Sequence, residues 1–209
     1  MANNKLPIEY LERYNDLKPF IINRLKEFKN VKKEDYFYEF CYCILTPQSK
    51  AKNAYEVQKL LQEMDFLNCA LDVTYILRDK SRYIRFHNQK AKRLLESRII
   101  FNDIKNVLES KLNQYEKRNW IAENINGFGL KESSHFLRNI GYRNLAILDR
   151  HILRHLTYCG IFTEIPKIKS KKHYIELENE FISYSKSINI AIDELDLLFW
   201  ASSTGEILK

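Results

Sequence analysis

Along most of the chain, apolar residues recur at intervals of three or four, which is the spacing of one face of an α-helix. The segment PFIINRLKEFKN shows this pattern, with an apolar stripe of Phe20, Ile21, Leu25 and Phe28. Pro19 precedes the stripe and suits the first turn of a helix, where its missing N–H costs no hydrogen bond. We therefore predict a helix whose first turn contains Pro19.

A second segment, DYFYEFCYCILT, has two interpretations. Phe37, Phe40, Cys41 and Ile44 fall on one helical stripe, but the many aromatic residues would also suit a β-strand. We expect a helix. Seven further segments have helical spacing: SKAKNAYEVQKLLQEM, NQKAKRLLESRIIFNDIKNVLES, RNWIAENI, KESSHFLRNIG, RHILRHLTYCG, KKHYIELENEFISYSKSI and AIDELDLLFWASS.

The glycine and proline content supports an all-α fold. Two of the helical segments end at Gly141 and Gly160, which are natural C-terminal caps. The 209 residues contain only 5 glycines and 4 prolines, which disfavours a turn-rich all-β chain. The chain is long enough to bury a core in one domain or in two small lobes.

Composition and charge narrow the class of protein only slightly. The chain is 45% hydrophobic and 29% charged, as in ordinary soluble globular proteins. The net charge of +7 favours an acidic partner such as nucleic acid, but many basic proteins bind none. No signal peptide or membrane-spanning run is evident, so we expect a soluble protein of the cytoplasm, associated with the nucleoid if it binds DNA.

The four cysteines do not form a recognisable metal motif. Cys41, Cys43, Cys69 and Cys159 include no C-x-x-C pair and lie in apolar segments. A zinc or iron–sulfur site is therefore not predicted. We expect all four to be reduced core residues in a reducing compartment.

The stretch WIAENINGFGLKESSHFLRNIG predicts a helix, a short glycine hairpin and a second helix. Gly127 and Gly129 would let the backbone adopt positive φ and approach a partner closely. Backbone N–H groups at the start of the second helix would then form a phosphate-binding end. A plain helix–helix corner explains the glycines equally simply.

Two polar residues near the hairpin have both ordinary and catalytic explanations. Lys131 can be a solvated lysine in the first turn of a helix, or a nucleophilic amine. Asp149 can be the N-cap of the helix RHILRHL, or a catalytic carboxylate. Neither residue alone decides between the two.

The combination of these features resembles a known family. The blocks GFGLKESSHFLRNIGY and AILDRHIL resemble the helix-hairpin-helix DNA glycosylase superfamily, and within it the short, archaeal-type 8-oxoguanine DNA glycosylase/AP lyases. The likeness extends through CYCILT, RFHNQKAKRL and ELDLLFWASSTGEILK. It covers most of the chain, although the first thirty or so residues and the region 55–80 add little. The Cys-rich iron–sulfur loop of the endonuclease III branch is missing.

The resemblance implies a bifunctional repair enzyme acting on double-stranded DNA that contains 8-oxoguanine. Lys131 would be the nucleophile that forms a Schiff base with the sugar, and Asp149 would stabilise the positive sugar and help to move protons. β-Elimination would then cut the strand. The resemblance implies no metal and no organic cofactor. Lys209, the terminal lysine, would distinguish 8-oxoguanine from guanine.

The family likeness suggests three further contacts to the lesion. Phe86 and Trp200 would sandwich the flipped base, and Gln48 would enter the gap left in the duplex; core packing for the aromatics and a helix-entry position for Gln48 are alternatives. His135 and Arg138 would make phosphate contacts or pack between lobes, and packing is favoured for His135. Solvated helix faces are expected for the remaining basic residues Lys90, Lys92, Arg93 and the lysines of 167–172.

The expected architecture is an all-α, two-lobed helical DNA glycosylase fold with a helix-hairpin-helix motif and an active site in the inter-lobe cleft. One lobe would comprise 31–134, and the other 1–30 with 135–209. We expect a monomer. Two alternatives stay open, a glycosylase for another damaged base and a non-catalytic helix-hairpin-helix DNA-binding protein.

Overall fold

The computed structural model describes residues 5–69 and 71–209, and these residues contain ten α-helices, two short 3-10 helices and no β-strand. The α-helices are α1 (Ile8–Lys29), α2 (Tyr36–Leu45), α3 (Ala51–Glu63), α4 (Thr74–Arg78), α5 (His87–Glu109), α6 (Gln114–Asn124), α7 (Leu130–Asn139), α8 (Arg150–Tyr158), α9 (Lys171–Ser187) and α10 (Ile192–Thr204). The 3-10 helices are Lys33–Asp35 and Lys80–Arg82. The all-α prediction is confirmed.

Backbone contacts divide the chain into two compact units. The central unit is Val31–Ile140, and the terminal unit joins Gly141–Lys209 to the N-terminal segment that ends at Asn30. Within the described ranges, no helix has the length and apolar character that crossing a membrane requires.

The central unit is built around α2. Every residue of this helix after Tyr36 is buried, so its apolar character on all sides reflects complete burial and not a strand. The Phe40 ring stacks on that of Phe128 with centroids 4.4 Å apart, and the Phe136 ring meets Phe40 edge-on at 5.2 Å. These aromatic contacts fasten the loop after α6 and the body of α7 to the core helix.

The terminal unit packs α1 and α8 against α10. The His155 ring of α8 stacks on Phe199 of α10 at 5.1 Å, and its Nδ1 hydrogen-bonds with the Tyr10 hydroxyl of α1 at 2.5 Å. Its Nε2 lies 2.7 Å from the hydroxyl of Ser203. One imidazole thus joins three helices, and burial lowers the pKa of His155.

Three expectations about packing were wrong. Helix α1 begins at Ile8, so Pro19 lies inside it instead of in its first turn. The buried stripe of α1 is Tyr14, Ile21, Leu25 and Phe28, whereas Phe20 is 65% exposed because it lies about 100° around the helix from Ile21. Cys69 is exposed, since it follows the end of α3 in a turn, while the other cysteines are buried.

Candidate active site

The glycine hairpin joins α6 to α7, and its two glycines have different roles. Gly127 has φ of +87°, as expected for a residue that turns the chain. Gly129 does not: it is the N-cap of α7 and has extended backbone angles of −105° and −170°. N-caps normally adopt extended angles, so the expectation of positive φ was confirmed at Gly127 and wrong at Gly129.

Lys131 lies in the first turn of α7, directly after this hairpin. Its side chain is 28% exposed, and its Nζ lies 3.1 Å from Oε1 of Glu132. The other carboxylate oxygen of Glu132 accepts the backbone N–H of Gly129 at 3.2 Å. Glu132 therefore caps the helix and holds the amine with the same side chain. The sequence signal for Glu132 is its spacing of three residues after the N-cap Gly129, as in a capping box.

A cluster of positive charge lies beside the hairpin. A Cβ built on Gly127 would sit 2.5 Å from the guanidinium carbon of Arg93, so this cation rests against the hairpin backbone. Burial, with the charges of Arg93 and Lys131, lowers the pKa of Lys90 to about 8.

The expectation of a solvated Lys90 was wrong, because its side chain is only 2% exposed and lies within the core of the central unit. Lys92, on the same helix, is exposed as expected.

Two of the predicted DNA-contacting residues lie in tight turns of the central unit. Gln48 is exposed with φ of +58°, in the loop between α2 and α3. Phe86 precedes α5 with φ of +59°, and its side chain is 48% exposed with the Arg85 guanidinium over the ring at 5.1 Å. Core packing, the alternative for Phe86, does not hold. Gln48 does lie near the entry to α3, which agrees with either interpretation.

In the terminal unit, Asp149 is the N-cap of α8. Its Oδ1 accepts the backbone N–H groups of His151 at 2.8 Å and Ile152 at 2.9 Å. Its Oδ2 takes no hydrogen bond from the described part of the chain. The capping role predicted from the sequence is therefore confirmed, and one carboxylate oxygen remains available for chemistry.

Trp200 lies near this cap, since its indole meets the His151 ring edge-on at 5.7 Å. The Nε1 of Trp200 and the Nδ1 of His151 are buried and find no hydrogen-bond partner among the described residues. Buried polar atoms usually have partners, so these two N atoms are candidates for contact with a ligand. Trp200 is partly buried, so packing contributes to its position as well.

The tail that carries Lys209 turns away from α10 at Gly205, whose φ is +82°. The carbonyl of Ile207 accepts a hydrogen bond from the Arg24 guanidinium at 3.3 Å. Lys209 itself is only partly exposed. This part of the terminal unit is therefore attached to α1 instead of extending freely.

The two polar residues on the second hairpin helix are buried. His135 is 8% exposed and packs edge-on against Tyr42, and Arg138 is 3% exposed and donates through Nε to Asn139 at 3.1 Å. His135 is therefore packed inside the central unit, and the packing between lobes that was expected for it stays a prediction. In the residues that the structure covers, no group of three or more His, Cys, Asp or Glu side chains is arranged to hold a metal ion.

The all-α fold, with Lys131 in the first turn after a glycine hairpin, defines a protein of the helix-hairpin-helix DNA glycosylase class. Comparison with family models specifies it further. The model described as 8-oxoguanine DNA glycosylase matches residues 21–190, and the chain belongs to that family. The matched range includes both Lys131 and Asp149.

Relatives and solved structures agree with this assignment. The 8-oxoguanine DNA glycosylase/AP lyase of Fusobacterium nucleatum is 39% identical, with 100% of each chain covered. The protein of the same name from Methanocaldococcus jannaschii is 38% identical over 93% of this chain and 94% of that one.

The solved structure of the Methanocaldococcus jannaschii protein, in complex with a 15mer DNA containing 8-oxoguanine, superposes with a TM-score of 0.84 at 35% identity, covering 97% of this chain and 100% of that one. The 8-oxoguanine DNA glycosylase of Thermotoga maritima gives a TM-score of 0.85 at 29% identity, covering 96% of this chain and 97% of that chain.

Proposed function

We propose that this protein removes 8-oxoguanine from duplex DNA and then cuts the strand at the resulting abasic site. The family match over residues 21–190 carries the proposal. Relatives that bear the name 8-oxoguanine DNA glycosylase/AP lyase support both activities, because they align with this chain over nearly its full length.

The first chemical step is assigned to Lys131. The lesion is extruded from the duplex, and the neutral Lys131 amine attacks C1′ of its deoxyribose while the bond to the base breaks. The base leaves with the electron pair of the broken bond and takes up a proton that the attacking nitrogen loses. The nitrogen lone pair then opens the sugar ring while O4′ takes up a proton, which leaves a protonated Schiff base between Nζ and C1′. Removal of a C2′ proton then expels the 3′ phosphate by β-elimination, and water releases the enzyme. Glu132, whose Oε1 lies 3.1 Å from Nζ, orients this nitrogen before reaction, and the ammonium form gives up one proton before it attacks.

Asp149 supplies negative charge while the sugar becomes positive. Its Oδ1 is occupied by the α8 cap, which fixes the carboxylate, and Oδ2 is the oxygen that faces the reaction in this proposal. A fixed carboxylate stabilises a developing cation without reorganising, which is the general basis of electrostatic catalysis.

The remaining site residues are assigned to recognition. Phe86 and Trp200 stack on the extruded base, which any aromatic face can do. Gln48 enters the gap in the duplex, and Lys209 contacts the edge of the base where the lesion differs from guanine. Backbone groups of the hairpin at Gly127 and Gly129 contact phosphate, which positions the protein without reading sequence. A monomeric state and a cytoplasmic, nucleoid-associated location stay predictions.

The test compares three end-labelled duplexes that differ at one position, which holds 8-oxoguanine, guanine or an oxidised pyrimidine. Cleavage at 8-oxoguanine alone, without added metal, is the expected result. Samples treated with hot alkali report base loss, and untreated samples report the lyase step. Preferential cutting at the pyrimidine would identify a glycosylase of another range. Binding without base loss would identify a non-catalytic DNA-binding protein.

A further inference from the structure

The loop between α2 and α3 displays Gln48 in a conformation that the backbone alone does not favour. Gln48 has φ of +58°, and Phe86 has φ of +59° at the entry to α5. Left-handed conformations are uncommon for residues other than glycine, and they persist only when the surrounding structure holds them. Some feature of the central unit must therefore hold both turns.

That feature at the Gln48 turn is the side chain of Lys90. Its Nζ donates to the carbonyl of Leu45 at 2.6 Å, to the carbonyl of Pro47 at 2.7 Å and to the hydroxyl of Ser49 at 3.0 Å. These acceptors lie on both sides of Gln48 in the sequence. An ammonium has three N–H donors, so the three bonds use all of them. Hydrogen bonds from a charged donor are shorter and stronger than neutral ones.

The Ser49 hydroxyl extends this arrangement to the second turn. Its oxygen also accepts the backbone N–H of Arg85 at 3.0 Å, one residue before Phe86. A parallel bond joins the Asn53 side chain of α3 to the carbonyl of Tyr83 at 3.1 Å. The Gln48 turn and the Phe86 turn are therefore connected through Ser49, and Lys90 anchors the connection from inside the central unit.

We propose that Lys90 and Ser49 are positioning residues that hold Gln48 and Phe86 in one fixed arrangement for extruding and receiving the lesion. The inference rests on the proposed function and adds two residues to it. A side chain that fills the gap and a ring that receives the base must act at the same moment, so their relative placement matters more than the contact of either alone. An abasic site offers no base to extrude or receive, so its cleavage does not need this arrangement.

The variant that tests the proposal is Lys90→Met, which keeps the unbranched stem and removes the three donors. Lys92→Met is the matched control, since it removes the same charge from an exposed position on the same helix. We expect Lys90→Met to slow single-turnover excision of 8-oxoguanine by about ten- to a hundred-fold, as small misplacements do at reacting sites. Cleavage of a preformed abasic site should stay within about threefold of wild type. Lys92→Met should match wild type on both substrates.

A substrate variation separates positioning from general damage to the fold. Extrusion costs least when the base is already unpaired. Placing 8-oxoguanine opposite a base-free position should therefore restore much of the excision lost in Lys90→Met. An equal loss on paired lesion, unpaired lesion and abasic site would overturn the proposal, and so would full activity of Lys90→Met on the paired lesion.

Ser49→Ala is the second variant, because it removes a single hydroxyl and is suited to the case in which Lys90→Met does not fold. It should show the same substrate pattern with a smaller loss, and combining it with Lys90→Met should add little. Wild-type excision by Ser49→Ala would contradict the connection between the turns.

Amide hydrogen exchange tests the same connection without DNA. Ser49→Ala should raise exchange in both 46–50 and 83–87, whereas a rise in only one segment, or in neither, would overturn the proposal. A wild-type protein that leaves 8-oxoguanine intact would reject the proposed function, and this exchange result would still decide whether the two turns are connected.

Discussion

Asp149 accepts the backbone N–H of Ile152 at 2.9 Å through one carboxylate oxygen, Oδ1, and the same oxygen accepts the backbone N–H of His151 at 2.8 Å. The same residue is thus an N-cap and a candidate catalytic group. These explanations were alternatives at the level of the sequence, and the geometry makes them compatible. The cap holds the carboxylate through Oδ1, and Oδ2 accepts no hydrogen bond from the described residues, as the proposed catalytic role requires.

Replacing Asp149 with Asn separates the two roles. Asn is as good an N-cap as Asp, so the free energy of unfolding should fall by less than about 1 kcal/mol. Any loss that remains comes from removing a negative charge near the helix N-terminus. Base excision should slow by roughly a hundred- to a thousandfold, because the developing positive charge loses its stabilising carboxylate. Urea denaturation and single-turnover excision measure the two effects.

Asp149→Ala is the companion variant. Because this variant loses the cap as well, its free energy of unfolding should be about 1 kcal/mol lower than that of wild type. Its excision rate should be no higher than that of Asp149→Asn. A large loss of stability in Asp149→Asn, with normal excision per folded molecule, would make Asp149 a cap and nothing more.

The hairpin glycines should respond differently to the same substitution. Gly127→Ser should lower the free energy of unfolding by about 1–2 kcal/mol, because a side chain is strained at φ of +87° and its Cβ would displace the Arg93 guanidinium. Gly129→Ser should stay within about 0.5 kcal/mol of wild type, because Ser is a preferred N-cap and Glu132 completes the capping box. Equal effects in denaturant titrations would contradict this assignment of roles.

Removing Lys209 should reduce discrimination between 8-oxoguanine and guanine. The C8 oxygen of the lesion accepts a hydrogen bond and its N7–H donates one, and a hydrogen bond between either of them and a charged group is worth about 1.5–3 kcal/mol. The excision ratio should therefore fall about ten- to a hundredfold, while cleavage of an abasic site is largely spared. Lys209→Ala shows how much of the loss belongs to the side chain. Unchanged selectivity, or equal loss of all activities, would exclude a base-reading role.

DNA binding should weaken steeply with salt and depend little on flanking sequence. Phosphate contacts release counterions, so the logarithm of the binding constant should fall linearly with the logarithm of salt concentration. Fluorescence anisotropy on lesion duplexes in several sequence contexts provides the measurement. A complex insensitive to salt would contradict binding through the hairpin and the basic side chains.

Nine of the ten α-helices in the described residues were predictable because apolar residues at helical spacing mark them in the sequence, whereas α4, with only five residues, is too short to show that spacing. The start of α1 was not, because Pro19 suggested a first turn and nothing in the local pattern showed that the helix already begins at Ile8. Proline is favoured in the first turn of a helix and disfavoured in its interior. In α1 the packing of the buried stripe from Tyr14 to Phe28 outweighs the cost of the interior Pro19.

The site was only partly predictable, because some of its contacts join residues that are far apart in the sequence. The local sequence was enough to recognise Asp149 as a possible cap. Lys131 was recognised only through the family resemblance, and its role as the nucleophile stays a proposal. Lys90 was expected on a solvated face because a lysine in a polar helix stretch usually lies there. Its acceptors come from residues more than forty positions earlier in the chain, so no local pattern could reveal them.

The most direct test of the account is covalent trapping of the protein on DNA. Wild-type protein is incubated with a duplex containing 8-oxoguanine in the presence of borohydride, which reduces a Schiff base to a stable link. Lys131→Gln removes the proposed nucleophile, and Lys92→Gln removes the same charge elsewhere. The account predicts a trapped adduct for wild type and Lys92→Gln, and neither adduct nor base loss for Lys131→Gln despite retained DNA binding. A trapped adduct with Lys131→Gln would show that another amine attacks the sugar and would contradict the central claim.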